Sequence, residues 1–137
     1  MWHTRQYLML QGPATATNRH WPSTSSAKNN AYTSALPICL KRGMEAVSGV
    51  NLQRVRVHYN SALPAEVDAF AYAQGENIYI APGQEHHLPH ELGHVVQQTL
   101  GMVQPTAIVN GLEINDDPGL EQHATDLGEK ALLQGCG

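Results

Sequence analysis

The sequence predicts an α+β domain in which a small sheet with hairpins packs on two amphipathic helices. After residue 35, apolar residues recur at helical spacing in a middle and a final segment, and short alternating runs lie before and between them. The 137 residues, 42% of them hydrophobic, are enough for one domain with one modest core.

The first 34 residues differ in composition from the rest of the chain. They are rich in Ser, Thr, Asn and Ala and have no sustained apolar period. Such a segment buries too little apolar surface to offset its ordering. We therefore expect a disordered N-terminal tail over 1–34 and a folded domain over 35–137, with 2–10 as a short hydrophobic segment that could dock on that domain.

The elements of the domain follow from the apolar spacing and from the turn residues between the runs. Gly49 and Gly101 are placed to end helices, and Gly75 lies in a turn between two apolar runs. The expected elements are a helix over 36–48, a strand over 53–59, a short helix over 62–70, a hairpin of 69–73 with 77–81, a helix over 88–100, a second hairpin within 102–115 and a helix over 118–133.

An HExxH motif, His90-Glu91-Leu92-Gly93-His94, lies in the middle helix. Residues four apart lie on one face of a helix, so both imidazoles can reach the same metal ion. Glu91 can lean toward a water at that metal as a general base. The motif in this helical context is typical of a zinc hydrolase, whereas a surface helix with two solvated histidines is the alternative.

A catalytic zinc site needs a third protein ligand and keeps one position open for water. One candidate is Glu121, near the start of the final helix, which Asp116 or Asp117 can cap and Pro118 can begin. The other candidates are His123, Asp126, His86 and His87.

Four segments, in order along the chain, carry a family resemblance. They are GMEAVSGVNLQRVRVHYNS, AYAQGENIYIAPGQEHHLPHELGHVVQQ, GMVQPT and INDDPGLEQHATDLGEKAL. They resemble the eCIS core domain, a small bacterial domain associated with extracellular contractile injection systems and toxin-like proteins. The resemblance implies a minimal zincin-like metallopeptidase fold of the gluzincin type, with Zn²⁺ as cofactor and a peptide or protein as substrate. It further implies that His90 and His94 bind the metal, that Glu91 is the catalytic glutamate and that Glu121 is the third ligand.

The chain departs from the family pattern in the final helix. Where the family usually reads Leu-Glu-x-Glu-Ala-Asp, this chain has His123 for the second glutamate and Thr125 for the aspartate. In related zincins that aspartate orients a ligand histidine, and losing such support weakens metal affinity or activity by roughly ten- to a hundredfold. The alternative function is therefore a non-catalytic, zinc-stabilised cargo or packaging module of an injection system.

Charge and cysteine content bound the partners and the location. The net charge of −4 is spread without blocks, so we expect neither a nucleic-acid nor a membrane partner. The resemblance implies a peptide or protein substrate and components of an injection particle as partners. The N-terminus lacks an apolar secretory core, which predicts a cytoplasmic protein before any export through such a particle. Cys39 and Cys136 are expected to be free thiols.

Overall fold

A computed structural model describes residues 5–11, 30–109, 112–115 and 117–135, and of residues 5–11, 109 and 112 it describes the backbone alone. The fold class is α+β, as the sequence predicted. The helices are α1 (Ile38–Ser48), α2 (Leu88–Thr99) and α3 (Pro118–Gly135), with 3₁₀ turns at Pro64–Val67 and Glu85–His87. Within the described ranges, no helix has both the length and the apolar character to cross a membrane.

The strands form one mixed sheet, in which a single strand connects a four-stranded part to a two-stranded hairpin. The strands are β1 (Arg5–Gln11), β2 (Tyr32–Ala35), β3 (Arg56–Tyr59), β4 (Ala69–Gln74), β5 (Asn77–Ile80), β6 (Ala107–Val109) and β7 (Leu112–Asn115). Four of them lie in the order β2-β3-β5-β4, and β6 pairs with β7 as the second hairpin. Strand β1 pairs in parallel with β4 and antiparallel with β7, which joins the two parts into the order β2-β3-β5-β4-β1-β7-β6.

The main core lies between the sheet and the three helices. Strands β3 and β5 contribute Val57, Ile78 and Ile80, all fully buried. From the helices come Met44 of α1 and Leu92 of α2, also fully buried, and a stripe on α3 that includes Ala131. Because α2 packs on both the sheet and α3, its polar face is held at a defined position beside the first turns of α3.

Most expected elements are present, but the prediction of a short helix over 62–70 is wrong. Helical structure in this segment is limited to a 3₁₀ turn at Pro64–Val67, and strand β4 starts at Ala69. Asp68 separates them in the left-handed conformation, with φ of 55°. A helix cannot continue through such a residue, and the strand pairing of β4 with β5 takes the following residues instead.

The segment expected to be a disordered tail lies mostly outside the described residues. In its described part, the backbone of β1 pairs with β4 and β7, and β2 starts at Tyr32 and pairs with β3. These pairings use backbone groups of distant strands, which composition does not reveal. The division of the chain at residue 35 stays a prediction.

The expectation of free thiols is wrong for Cys39, which is disulfide-bonded. The chain contains one other cysteine, Cys136, directly after α3. Helices α1 and α3 approach so closely that a Cβ added to Gly135 would lie 2.0 Å from the carbonyl oxygen of Cys39. This packing brings the start of α1 against the end of α3, a proximity that the spacing of 97 positions along the chain does not suggest.

Candidate metal centre

Helices α2 and α3 touch through glycines. A Cβ added to Gly93 would lie 2.7 Å from the carbonyl oxygen of Ala124, and one added to Gly128 would lie 2.8 Å from that of Pro89. Both distances are shorter than a carbon–oxygen contact allows, so the two backbones approach as far as glycine permits. This close approach brings the histidines of α2 within reach of short side chains on α3.

Polar residues before α3 fix its first turn. Asn115, 2% exposed, accepts a hydrogen bond from the backbone N–H of Asp117 through Oδ1, at 2.9 Å. Asp117 in turn accepts one from the N–H of Gly119 at 2.8 Å and so caps the helix, as the sequence predicted. Strand β7 and this cap together determine where Glu121 enters the site.

The structure brings His90, His94 and Glu121 together. The Nε2 atoms of His90 and His94 lie 2.8 and 3.2 Å from the same oxygen of Glu121, Oε1. The two rings are perpendicular, with centroids 4.6 Å apart. One ligand atom from each residue lies within 4.8 Å of the others, so this group could hold a metal ion.

The outward-facing nitrogens of both rings have hydrogen-bond partners. Nδ1 of His90 lies 2.9 Å from Oγ1 of Thr125, and Nδ1 of His94 lies 2.9 Å from Oε1 of Gln97. Each partner turns the ring so that Nε2 faces Glu121. Thr125 thus supports the ring of His90 with a hydroxyl.

Gln97 is a residue of the site that the sequence did not single out. A signal was available, because Gln97 lies three residues after His94 and so falls on the buried face of α2. A glutamine on such a face needs polar partners, and its side chain is fully buried.

The charges of the site favour an ionised Glu121. Burial alone would raise its pKa, but hydrogen bonds from His90 and His94 outweigh burial and lower the pKa to about 2. Burial lowers the pKa of His94, yet the hydrogen bond to Glu121 and the nearby carboxylates leave that pKa raised. The pKa values of His94 and Glu121 thus shift in opposite directions, because the two side chains share a hydrogen bond.

The surroundings of the Glu91 carboxylate indicate whether a cation fits this site. Its side chain is 0% exposed, and neither of its carboxylate oxygens has a hydrogen-bond partner. Oε2 of Glu121 also lacks one. Burial raises the pKa of Glu91 to about 8, with Glu121 adding to the rise and His94 opposing it. Buried carboxylate oxygens without donors are rare and unfavourable, so a divalent cation and its water would satisfy groups that the described residues leave unpaired.

The other candidate ligands lie elsewhere or bind other groups. His86 and His87 are in the 3₁₀ turn before α2, where the ring of His87 stacks on Phe70 at 5.3 Å. Burial and the neighbouring histidines lower the pKa of His87 to about 4. His123 accepts a hydrogen bond from Gln97 at 2.8 Å, and Asp126 accepts one from Gln122 at 3.1 Å. Of the candidates, Glu121 is the one that the fold brings to the histidine pair.

Comparison with known proteins gives one family match. No curated protein and no solved structure matches the chain. The segment that matches a family model, residues 35–102, ends after α2. It therefore includes the HExxH helix but neither Glu121 nor Thr125. The family is named for extracellular contractile injection systems and supports an association of this chain with them. Residues 35–102 of the chain match the family model of the eCIS core domain.

Proposed function

We propose that the chain is a zinc metallopeptidase-like domain, with His90, His94 and Glu121 as metal ligands and Glu91 as general base. The observation that supports this most is the convergence of three potential ligand atoms beside a buried carboxylate without hydrogen-bond partners. Two nitrogens and one carboxylate oxygen are the donor types that zinc takes in hydrolases of this kind.

The residues of the site divide the work of peptide hydrolysis. When bound, zinc would lower the pKa of a water molecule toward about 7 and polarise the substrate carbonyl. Glu91 accepts a proton from the attacking water as the water oxygen bonds to the carbonyl carbon. When the carbon–nitrogen bond breaks, Glu91 gives that proton to the leaving amine. Thr125 keeps the ring of His90 oriented.

The family match supports a proposal for the wider setting of the protein. We place the protein in the cytoplasm before export through a contractile injection particle, with components of that particle as partners and a peptide or protein as substrate. The match to residues 35–102 supports the link to injection systems. The residues of the site support the peptide substrate through the chemistry above.

A second candidate function is a non-catalytic cargo or packaging module that zinc stabilises. The burial of the site favours it, because Glu91 and His94 are both 0% exposed and the side chain of His90 is 14% exposed. Hydrolysis would require the site to open, because a substrate carbonyl must reach Glu91. A packaging module requires no such opening.

Hydrolysis by wild type and by Glu91→Gln separates the two functions. The substitution keeps all three proposed ligands and removes the base. Both proteins are loaded with zinc and incubated with a pool of unstructured peptides, and new termini are identified by mass spectrometry. Cleavage by wild type that Glu91→Gln loses supports the peptidase. Zinc bound by both proteins without cleavage by either supports the packaging module.

A further inference from the structure

We propose that Gln97 is a positioning residue of this centre, because its one side chain fixes both the ring of His94 and the backbone beside Glu121. The inference rests on the proposed metal site and adds a residue outside its ligand set. Gln97 lies in α2, one turn after His94, and is fully buried.

The hydrogen bonds of Gln97 determine how its amide is oriented. One of its side-chain atoms lies 2.9 Å from the carbonyl oxygen of Leu120, which can only accept a hydrogen bond. That atom is therefore the amide nitrogen, and the amide oxygen must be the atom 2.9 Å from Nδ1 of His94. Since this oxygen can only accept, His94 carries a proton on Nδ1. Its Nε2 is then the nitrogen whose lone pair can face a metal.

The same amide also connects α2 to α3, the helix that carries Glu121. The carbonyl of Leu120 belongs to the peptide bond that leads into Glu121, so its bond to Gln97 fixes that peptide relative to α2. The second amide hydrogen points to Nδ1 of His123, at 2.8 Å. The three contacts together use both donors of the side chain and its oxygen. One buried residue thus sets the orientation of one ligand and the distance to another.

The neighbouring glutamine provides a matched control. Gln98 lies next in α2, but its Oε1 accepts a hydrogen bond from the backbone N–H of Gly75, in the β4–β5 turn, at 2.7 Å. Gln97→Met and Gln98→Met make the same chemical change in the same helix, and the first of them breaks contacts with the ligand residues. Gln97→Glu is the conservative variant, because a buried, protonated carboxyl can still accept from His94 and donate to Leu120.

Zinc affinity, measured in the full chain by competition with a chelator, tests the inference. We expect Gln97→Met to bind Zn²⁺ about tenfold or more weakly than wild type, and Gln98→Met and Gln97→Glu to stay within about threefold. Gln97→Met within about twofold of wild type would overturn the inference. Lower thermal stability of metal-free Gln97→Met with undiminished zinc affinity would also overturn it, because the role would then be structural only.

The imidazole protons give a second measurement that a purely structural role would not change. In ¹⁵N-edited NMR spectra of the zinc-loaded protein, His94 should show a slowly exchanging Nδ1–H in wild type and in Gln97→Glu, and should lose it in Gln97→Met. A rapidly exchanging Nδ1–H in wild type would overturn the inference even if Gln97→Met does not fold. Wild type that binds no zinc would refute the proposed function itself, whereas zinc-binding wild type matched by Gln97→Met would refute this inference alone.

Discussion

Replacing Glu91 by glutamine should stabilise the metal-free protein at neutral pH. Both oxygens of Glu91 are buried without a hydrogen-bond partner, and burial raises the pKa of the carboxyl to about 8. The folded state therefore binds a proton that the unfolded state, with an ordinary pKa of 4.5, has lost. A neutral glutamine of similar size avoids this unfavourable ionisation.

The sign and size follow from proton linkage. Because the folded state binds the proton more tightly, wild-type stability should fall as pH rises from 4.5 to about 8. A pH of 7 lies about 2.5 pH units above the ordinary pKa of the carboxyl. This difference corresponds to a loss of about 3 kcal/mol at most in the free energy of unfolding of wild type. Near pH 4.5 the carboxyl is neutral in the folded state, and the difference between wild type and Glu91→Gln should vanish.

Denaturant unfolding of chelator-treated protein at pH 4.5, 6 and 7 measures this difference. Glu45→Gln is the control, because a hydrogen bond from the backbone N–H of Leu52 lowers the pKa of Glu45, with Lys41 adding to the effect. Glu45 contributes stability that is present above its ordinary pKa, so its replacement should destabilise at pH 7. A Glu91→Gln protein that is no more stable than wild type at pH 7 would refute the reasoning.

Variants at three further positions test the support of the site and of the fold around it. Thr125→Val removes the partner of His90 Nδ1 and should weaken zinc retention against a chelator about tenfold, whereas Thr125→Asp should strengthen it; equal retention in all three proteins would remove Thr125 from this role. Gly93→Ala should lower the free energy of unfolding by about 1–3 kcal/mol, because the new Cβ meets Ala124; denaturation without any loss would contradict the close approach of α2 and α3. Cys39→Ser should lower the free energy of unfolding by about 2–4 kcal/mol under non-reducing conditions, and stability equal to wild type would argue against the disulfide.

Helix α2, which carries the HExxH motif, could be predicted because its signals are local. Apolar spacing predicted the segment now seen as Leu88–Thr99, Pro89 lies in its first turn, and Gly101 follows it with φ of 74°. The spacing of His90 and His94 alone places both rings on one face of the helix, without reference to any tertiary contact. The cap of α3 by Asp117 was predictable for the same reason.

The remaining features depend on contacts between distant parts of the chain. The pairing of β1 with β4 and β7 joins residues far apart in sequence, and no local pattern specifies it. The disulfide of Cys39 depends on how α1 packs against the end of α3. Gln97 could be recognised as buried from its helical position, but its partners on α3 follow only from the packing of the two helices.

Zinc content of the purified protein tests the central claim most directly. Elemental analysis should find close to one zinc per chain in wild type, because three ligand atoms converge from two packed helices. His94→Ala and Glu121→Ala should each lose the metal and, with it, thermal stability, since metal binding at such sites contributes to folding. Wild type without bound zinc after exposure to it, or Glu121→Ala with undiminished zinc, would contradict the proposed centre.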